Sequence, residues 1–566
     1  MFRLHASERG PAVLGLVIAI FLAAFLVLPV FRVIWVAFLD PSSGGFTLIN
    51  FYDFFRNQLF IESFVNSVYV AIMAVVVASI IAMPLAYFTS RFNFAGSALI
   101  QALGFVPLIM PPFVGAVAMQ LLFGANGSIN LMLDQWFGWT IPFMEGLNGV
   151  IFVESLHYFP FILINLSAAL QNIDRSLEES AQNLGASGLR LFRRIVLPLS
   201  MPGYVAGAAL VFIKVFDDLG TPLLLNVNDM LAPQAYLRIT AVGISDPMGY
   251  VISVILVVFS ALSLWISLST MRHKDYASVQ KGGGGLMKRD LGPMEKLGAY
   301  STIVLLLTLV LSPHLGLLLL SFGTIWSYAV LPDAYTLAHY ATVFETALHY
   351  VTNTVIYAGI AGIADVVIGV AIAYVVLRTN LAGRKWLDYI ATASLAIPGV
   401  VLGIGYLRSF HDYAIPGVTD SVATWWVTII IALTIRRLPY ALRACLAALQ
   451  QVSQSLEEAA ENLGANKRQT VRRVVLPLML GGILAGFVTS FATAAVELST
   501  TIMLVAKSSD APLAYGIYEF MQTPAGRGPG AALGVLAVVL VGIGTYLSHL
   551  VVNRGRSEQQ AMAGQH

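Results

Sequence analysis

Four ionisable residues stand inside strongly apolar runs. Lys214, Asp217 and Asp218 lie in LVFIKVFDDLGTPLLL, and Glu497 lies in FATAAVELSTTIMLV. Charge in hydrocarbon is costly, so such side chains are expected to face a pathway or to pair with one another. Lys214 and Asp218 are four apart, which places them on one helical face as a candidate ion pair. Glu497 aligns with Asp218 when the two segments are superposed, so two carboxylates would flank the path of a cation. The alternative is structural, with the same carboxylates near a helix end or bonding spans together. No nucleophile–base pair and no metal-ligand spacing emerges, so an enzyme is not expected. The single Cys445 excludes a disulfide framework. His339, His349 and His411 read as ordinary polar residues near outer loops, and Arg238 and Arg408 as isolated charges.

A second pattern is written twice. From Leu177 the chain reads LEESAQNLGASGLRLFRRIVLPL, and from Leu456 it reads LEEAAENLGANKRQTVRRVVLPL. Each copy places a Glu (Glu179, Glu458), a Gly six residues on (Gly185, Gly464), an aliphatic residue ten further (Ile195, Val474) and then Leu-Pro (Leu197-Pro198, Leu476-Pro477), at a constant offset of 279 residues. Ser176-x-x-Glu179 and Ser455-x-x-Glu458 fit a capping box that starts a short helix. Gly185 and Gly464 supply its left-handed end. A second basic helix follows, carrying Arg190, Arg193 and Arg194 or Lys467, Arg468, Arg472 and Arg473, and is expected to end before Leu-Pro. The product is a helix–turn–helix elbow. An interfacial hairpin touching anionic lipid is the competing reading, but lipid attraction does not require a Glu-Gly-Pro spacing.

The elements that position these residues are membrane spans. The chain has 566 residues, 58% hydrophobic and 11% charged, with a mean hydropathy of +0.79. Soluble proteins carry about 25% charged residues. Continuous apolar runs exclude an alternating β-barrel. About twelve spans of roughly 20–25 residues are expected, near 12–39, 64–89, 97–123, 148–170, 200–225 and 249–271, then 298–323, 351–377, 387–410, 423–445, 480–505 and 531–552. The first run, 11–39, reads as a retained span. Between the halves, 272–296 contains KGGGGLMKRD and reads as a Gly-rich basic connector. Most of the 32 Lys and Arg fall on one side under this topology, which places both termini and both repeated loops in the cytoplasm.

The duplication reaches beyond the loops. Asn66 aligns with Asn353, Ala86-Tyr87 with Ala373-Tyr374, Ala95-Gly96 with Ala382-Gly383 and Pro111 with Pro398, all at an offset of 287. Because both repeated loops keep the same sidedness, the halves are parallel repeats, 1–271 and 297–566, related by a pseudo-twofold axis. Pro107, Pro111, Pro112 and Pro398 lie inside apolar spans and are expected to kink them, with or without a role in gating.

The spacing E-x-A-x-x-x-G-x9-[IV]-x-L-P resembles the EAA loop of binding-protein-dependent ABC importer permeases. The first copy has Ser180 where that family commonly has Ala, with Ala181 next to it; the second has Ala459 and Ala460. The resemblance covers nearly the whole chain as two fused permease halves in one all-α polytopic protein. It implies that loops 174–198 and 453–477 each dock one cytosolic ATPase subunit, that an extracytoplasmic binding protein delivers the solute, and that the location is the bacterial inner membrane. It also implies that Glu179, Ala181, Gly185, Ile195, Leu197, Pro198, Glu458, Ala459, Ala460, Gly464, Val474, Leu476 and Pro477 serve ATPase coupling. The chain has no G-x-x-x-x-G-K-[ST] phosphate loop. ATP and magnesium would therefore be used by the partner, with no cofactor on this chain and no nucleic acid as partner. FDDLGTPLLL and VELSTTIMLV are most similar to the ferric-iron permeases, with phosphonate (2-aminoethylphosphonate), thiamine and polyamine importers as alternatives. An ion-coupled secondary transporter using Lys214, Asp217, Asp218 and Glu497 is the remaining reading from another class; it leaves the doubled loop unexplained.

Overall fold

In the computed structural model the described residues are 9–563, except 41, 94, 187, 273–288 and 420. The Gly-rich part of the expected connector lies outside them. Helices dominate, and ten are long and apolar enough to cross a membrane; the pair Arg384–Ala396 and Gly399–Phe410, bent by 110°, makes an eleventh. The remaining expected span is the 26-residue helix Trp426–Gln451, which carries Arg436, Arg437 and Arg443.

Several expected spans are broken where proline or glycine interrupts the backbone ladder. The segment expected at 97–123 divides into Ser97–Phe105, a tight turn at Val106–Ile109 and a helix from Pro112 to Phe123. Its counterpart breaks at Ile397-Pro398. The segment expected at 200–225 stops at Asp217 and resumes as the short turn Gly220–Leu224. The one expected at 480–505 stops at Ala495 and resumes at Thr501–Leu504. The breaks lie against one another, Gly220 facing Phe113 and Leu498 and Gly399 facing Ser499.

Small residues let the helices around those breaks approach closely. In GYVAG, a Cβ on Gly203 would lie 2.5 Å from Ala169 Cβ, and one on Gly207 would lie 2.7 Å from Ile162 Cα. In GILAG, Gly482 meets Ala448 at 2.4 Å and Gly486 meets Ala441 at 3.1 Å in the same sense. Both are small-xxx-small pairs that pack the helix after each repeated loop against the helix before it.

The halves are interlocked. The first helix leans on the second half: Tyr406 Oη donates to Phe25 O at 2.8 Å, and Gly15 faces Val375 and Leu387. Reciprocally, Pro293–Phe322 packs on the first half, with Gly316 against Ala118 and Leu122. The aligned asparagines do matching work at the end of the bundle remote from the repeated loops. Asn66 Nδ2 donates to Asp229 O at 3.0 Å, and Asn353 Nδ2 donates to Ser509 O at 2.8 Å.

Candidate functional site

Each repeated loop is an elbow, as expected, but it is capped and continued differently. The N-cap is Asp174 or Ser453, whose side chain accepts from Ser176 N–H at 2.9 Å or Ser455 N–H at 3.3 Å. Ser176 and Ser455 are therefore the second residues of their helices and not the N-caps of the expected capping box, and Glu179 and Glu458 are exposed. The helices Arg175–Asn183 and Gln454–Asn462 end alike. Gly185 and Gly464 adopt φ of +84° and +90°. Ala186 N–H donates to Ala181 O at 2.9 Å, and Ala465 N–H to Ala460 O at 3.0 Å, closing the same glycine-terminated motif twice. Beside each glycine stands a leucine with almost no cover, Leu184 at 89% and Leu463 at 90% exposure.

The basic helices do not stop before Leu-Pro. Pro198 and Pro477 lack the N–H a regular turn would use, and the chain widens instead. Leu197 N–H bonds to Phe192 O and Leu476 N–H to Val471 O, each five residues back. The elbows are thus continuous with Leu197–Asp217 and Leu476–Ala495. Ile195 and Val474 are half-buried within this widened turn, while Pro198 and Pro477 face outward. Two arginines that sequence reasoning passed over fasten the elbows to the ends of the spans Gln58–Arg91 and Leu348–Arg378. Arg91 pairs with Glu178, and Arg378 Nε reaches Glu457 Oε1 at 2.6 Å. Their signal was present, since Arg91 and Arg378 share the offset of 287.

The four intramembrane residues singled out above line one cavity of about 140 Å³ in the middle of the bundle. Asp217 and Asp218 reach it because DDLGTP ends the helix there. Gly220 has no room for a Cβ, which would lie 2.9 Å from Leu498 Cδ2 and from Phe113 Cβ. Asp218 Oδ2 accepts from Thr221 N–H at 3.0 Å, and Glu497 Oε1 accepts from Thr500 N–H at 3.1 Å. Each carboxylate caps the short turn after it, a correspondence that the alignment of Asp218 with Glu497 anticipated. The expected Lys214–Asp218 pair is absent among the described residues, because Asp218 has left the helix (φ −69°, ψ 129°) and turned toward Thr221.

The partners come instead from Trp426–Gln451. Arg436 Nη2 donates to Asp217 Oδ2 at 2.6 Å, Nε to Glu497 Oε2 at 3.1 Å, and Nη1 at 2.8 Å to Ile397 O, freed at the 110° bend. Arg437 also pairs with Glu497. Gly399 N–H donates to Asp217 Oδ1 at 2.8 Å. Gly399 must be glycine here, since a Cβ would lie 2.9 Å from Arg436 Cζ. His157, Tyr158, Tyr440, Thr493 and Ser499 add to the polar lining. Glu154 is fully buried beside Asp218. Arg436 and Arg437 were legible in TIRRLPY, and Glu154 and His157 in VESLHYFP, by the same rule that singled out Asp217.

The sequence profile of the family described as "Binding-protein-dependent transport system inner membrane component" matches residues 75–269 and again 365–557. The chain belongs to that family. Each match takes in one elbow and one wall of the cavity. Ferric transport system permease protein FbpB of Actinobacillus pleuropneumoniae is 27% identical over 411 residues, covering 71% of this chain and 57% of that protein. A protein of Haemophilus influenzae also named FbpB (FbpB 1) is 27% identical over 417 residues, covering 71% of this chain and 62% of its own length. The chain thus spans about three fifths of the length of these relatives. Molybdenum transport system permease protein ModB of Haemophilus influenzae is 36% identical over 156 residues, covering 27% of this chain and 67% of that protein. Like the family, the chain is a multi-pass membrane protein.

Proposed function

We propose that this chain is the permease of an ATP-driven importer, docking two ATPase subunits through loops 174–198 and 453–477 and carrying the solute between its halves. The observation that carries this reading is the pair of elbow tips, where Leu184 and Leu463 stand about nine-tenths exposed beside left-handed glycines at one register. A large apolar side chain held outward at a rigid helix end suits a protein cleft better than water. ATP and magnesium belong to those subunits in this reading, and a binding protein delivers solute at the opposite face. Both termini and both elbows are cytoplasmic, in agreement with the distribution of Lys and Arg. Glu179, Ala181, Gly185, Ile195, Leu197 and Pro198, with Glu458, Ala459, Ala460, Gly464, Val474, Leu476 and Pro477, form the coupling elements. Lys214, Asp217, Asp218 and Glu497 line the pathway.

The cargo we assign is ferric iron, supported by the two FbpB relatives and by carboxylates on both walls of the cavity. The test is uptake of radiolabelled ferric iron in iron-starved cells with and without this gene, with ATP depletion as control. Loss of ATP-dependent uptake on deletion supports iron; unchanged uptake in cells lacking other iron importers removes it. A second reading, an oxyanion cargo, is favoured by the ModB relative and by Lys214, Arg436 and Arg437 in the same lining. Radiolabelled molybdate in the same assay separates the two.

A further inference from the structure

The Asp217 carboxylate is held entirely by the other half of the molecule. Its Oδ2 takes Arg436 Nη2 and its Oδ1 takes Gly399 N–H. The repeat gives every one of these residues a counterpart, and no counterpart can make the same bond. Val496 stands in place of Asp217, His157 in place of Arg436, and Pro112, which has no N–H, in place of Gly399. A contact that duplication should have written twice therefore exists once.

Both sides of this contact have other partners within their own half. Arg436 also holds Glu497 through Nε and Ile397 O through Nη1. Asp217 has Lys214 one turn earlier on its own helix. Lys214 lines the same cavity and makes no ion pair among the described residues. Separating a buried ion pair normally strands two charges at a cost that forbids motion. Here separation leaves Arg436 on Glu497 and lets Lys214 swing to Asp217, so both charges stay compensated. Two discrete pairings of similar cost are what a two-state element requires.

We propose that the contact of Asp217 with Arg436 and Gly399 is the gate holding the two halves shut across the cavity, exchanged on opening for Asp217–Lys214 while Arg436 stays on Glu497. This rests on the reading of the cavity as a translocation pathway. The bond positions the halves and need not touch cargo. Because Arg436 and Glu497 belong to the same half, their pair survives in both states and does not gate.

The test is thiol accessibility of the cavity in the full chain, in membranes and without nucleotide. The background is Cys445→Ala, which removes the chain's one thiol, with Thr493→Cys as reporter on the cavity wall. The probe is a small cationic methanethiosulfonate. Asp217→Asn keeps the shape and removes the charge, and is expected to raise the labelling rate about tenfold, the scale of a lost charge-assisted bond. Gly399→Ala keeps every charge and displaces the guanidinium, and is expected to act in the same direction. Asp246→Asn breaks only the Arg238–Asp246 pair inside one half, away from the cavity lining, and is expected to leave labelling within about twofold of the parent. Parent-like labelling in whichever of Asp217→Asn and Gly399→Ala folds would overturn the gate. Equal acceleration by Asp246→Asn would also overturn it, as general loosening. The assay needs neither cargo nor ATP, so a failure of the importer reading, seen as uptake independent of ATP, is separate from a failure of the gate.

Discussion

Arg378 at the end of its span holds Glu457 at the start of the second elbow, Nε to Oε1 at 2.6 Å, while its Nη2 donates to Val452 O, also at 2.6 Å. Arg91 and Glu178 make the same pair in the first half. One guanidinium thus bonds the elbow both by side chain and by backbone, so motion of the elbow is delivered to a membrane helix. Replacing Arg378 by Gln is expected to lower the ratio of uptake to ATP hydrolysis by about three- to tenfold while the ATPase stays bound, since a hydrogen bond to a charged group contributes roughly 1.5–3 kcal/mol. The double exchange Arg378→Glu with Glu457→Arg should recover part of the loss. No recovery, with normal expression, would assign the effect to the carbonyls of Leu449 and Val452.

Gly185 and Gly464 hold φ near +84° and +90°, where a β-branched residue is strained by about 1–2 kcal/mol. Gly464→Val is expected to distort the end of the elbow and to uncouple hydrolysis from transport. The comparison to make is ATPase stimulation against solute uptake in proteoliposomes. Normal values of both in the Gly185 and Gly464 variants would remove the glycine ends from the coupling account.

Leu184 and Leu463 expose nearly their whole side chains. If each fills an ATPase cleft, Leu184→Asp with Leu463→Asp should weaken co-purification of the ATPase by at least about tenfold, given that fully burying a leucine is worth roughly 1.5–3 kcal/mol. Charge reversal at the exposed Glu179 and Glu458 is expected to act in the same direction. Undiminished co-purification of the double leucine variant and of both charge reversals would place the docking surface elsewhere.

Gly203 and Gly482 sit where a Cβ would lie about 2.5 Å from the facing alanine. Leucine at either position has to push two helices apart, at a cost above the roughly 1–3 kcal/mol of ordinary overpacking. We expect a lower melting temperature in detergent for Gly203→Leu and Gly482→Leu alike. Gly481→Leu, where nothing lies within 4 Å of the added Cβ, is the control. Equal melting of all three would contradict the close-packing account.

Much of this protein was legible in its residues because the signals are local or duplicated. Apolar runs set the helices, since backbone polar groups in lipid must be satisfied within the segment. The repeat marked the elbows, whose glycine ends depend on φ at one residue. Asp217, Asp218, Lys214 and Glu497 stood out because a charge in an apolar run has few reasons to be there. What failed was also local in origin: Leu-Pro reads as a helix end, yet the structure absorbs the missing N–H in a widened turn and continues.

Tertiary structure alone decided which charges meet. Asp217 and Arg436 are 219 residues apart, on helices from different halves, and neither periodicity nor spacing carries that distance. Their pairing depends on the 110° break at Pro398, which frees the Ile397 carbonyl and aims the Gly399 N–H into the cavity. It depends equally on Gly220 and Gly399 leaving room for the approach. The repeat determined two similar walls; their packing determined that Asp217 of one meets Arg436 of the other, because a desolvated charge takes its partner from whatever the fold brings within reach.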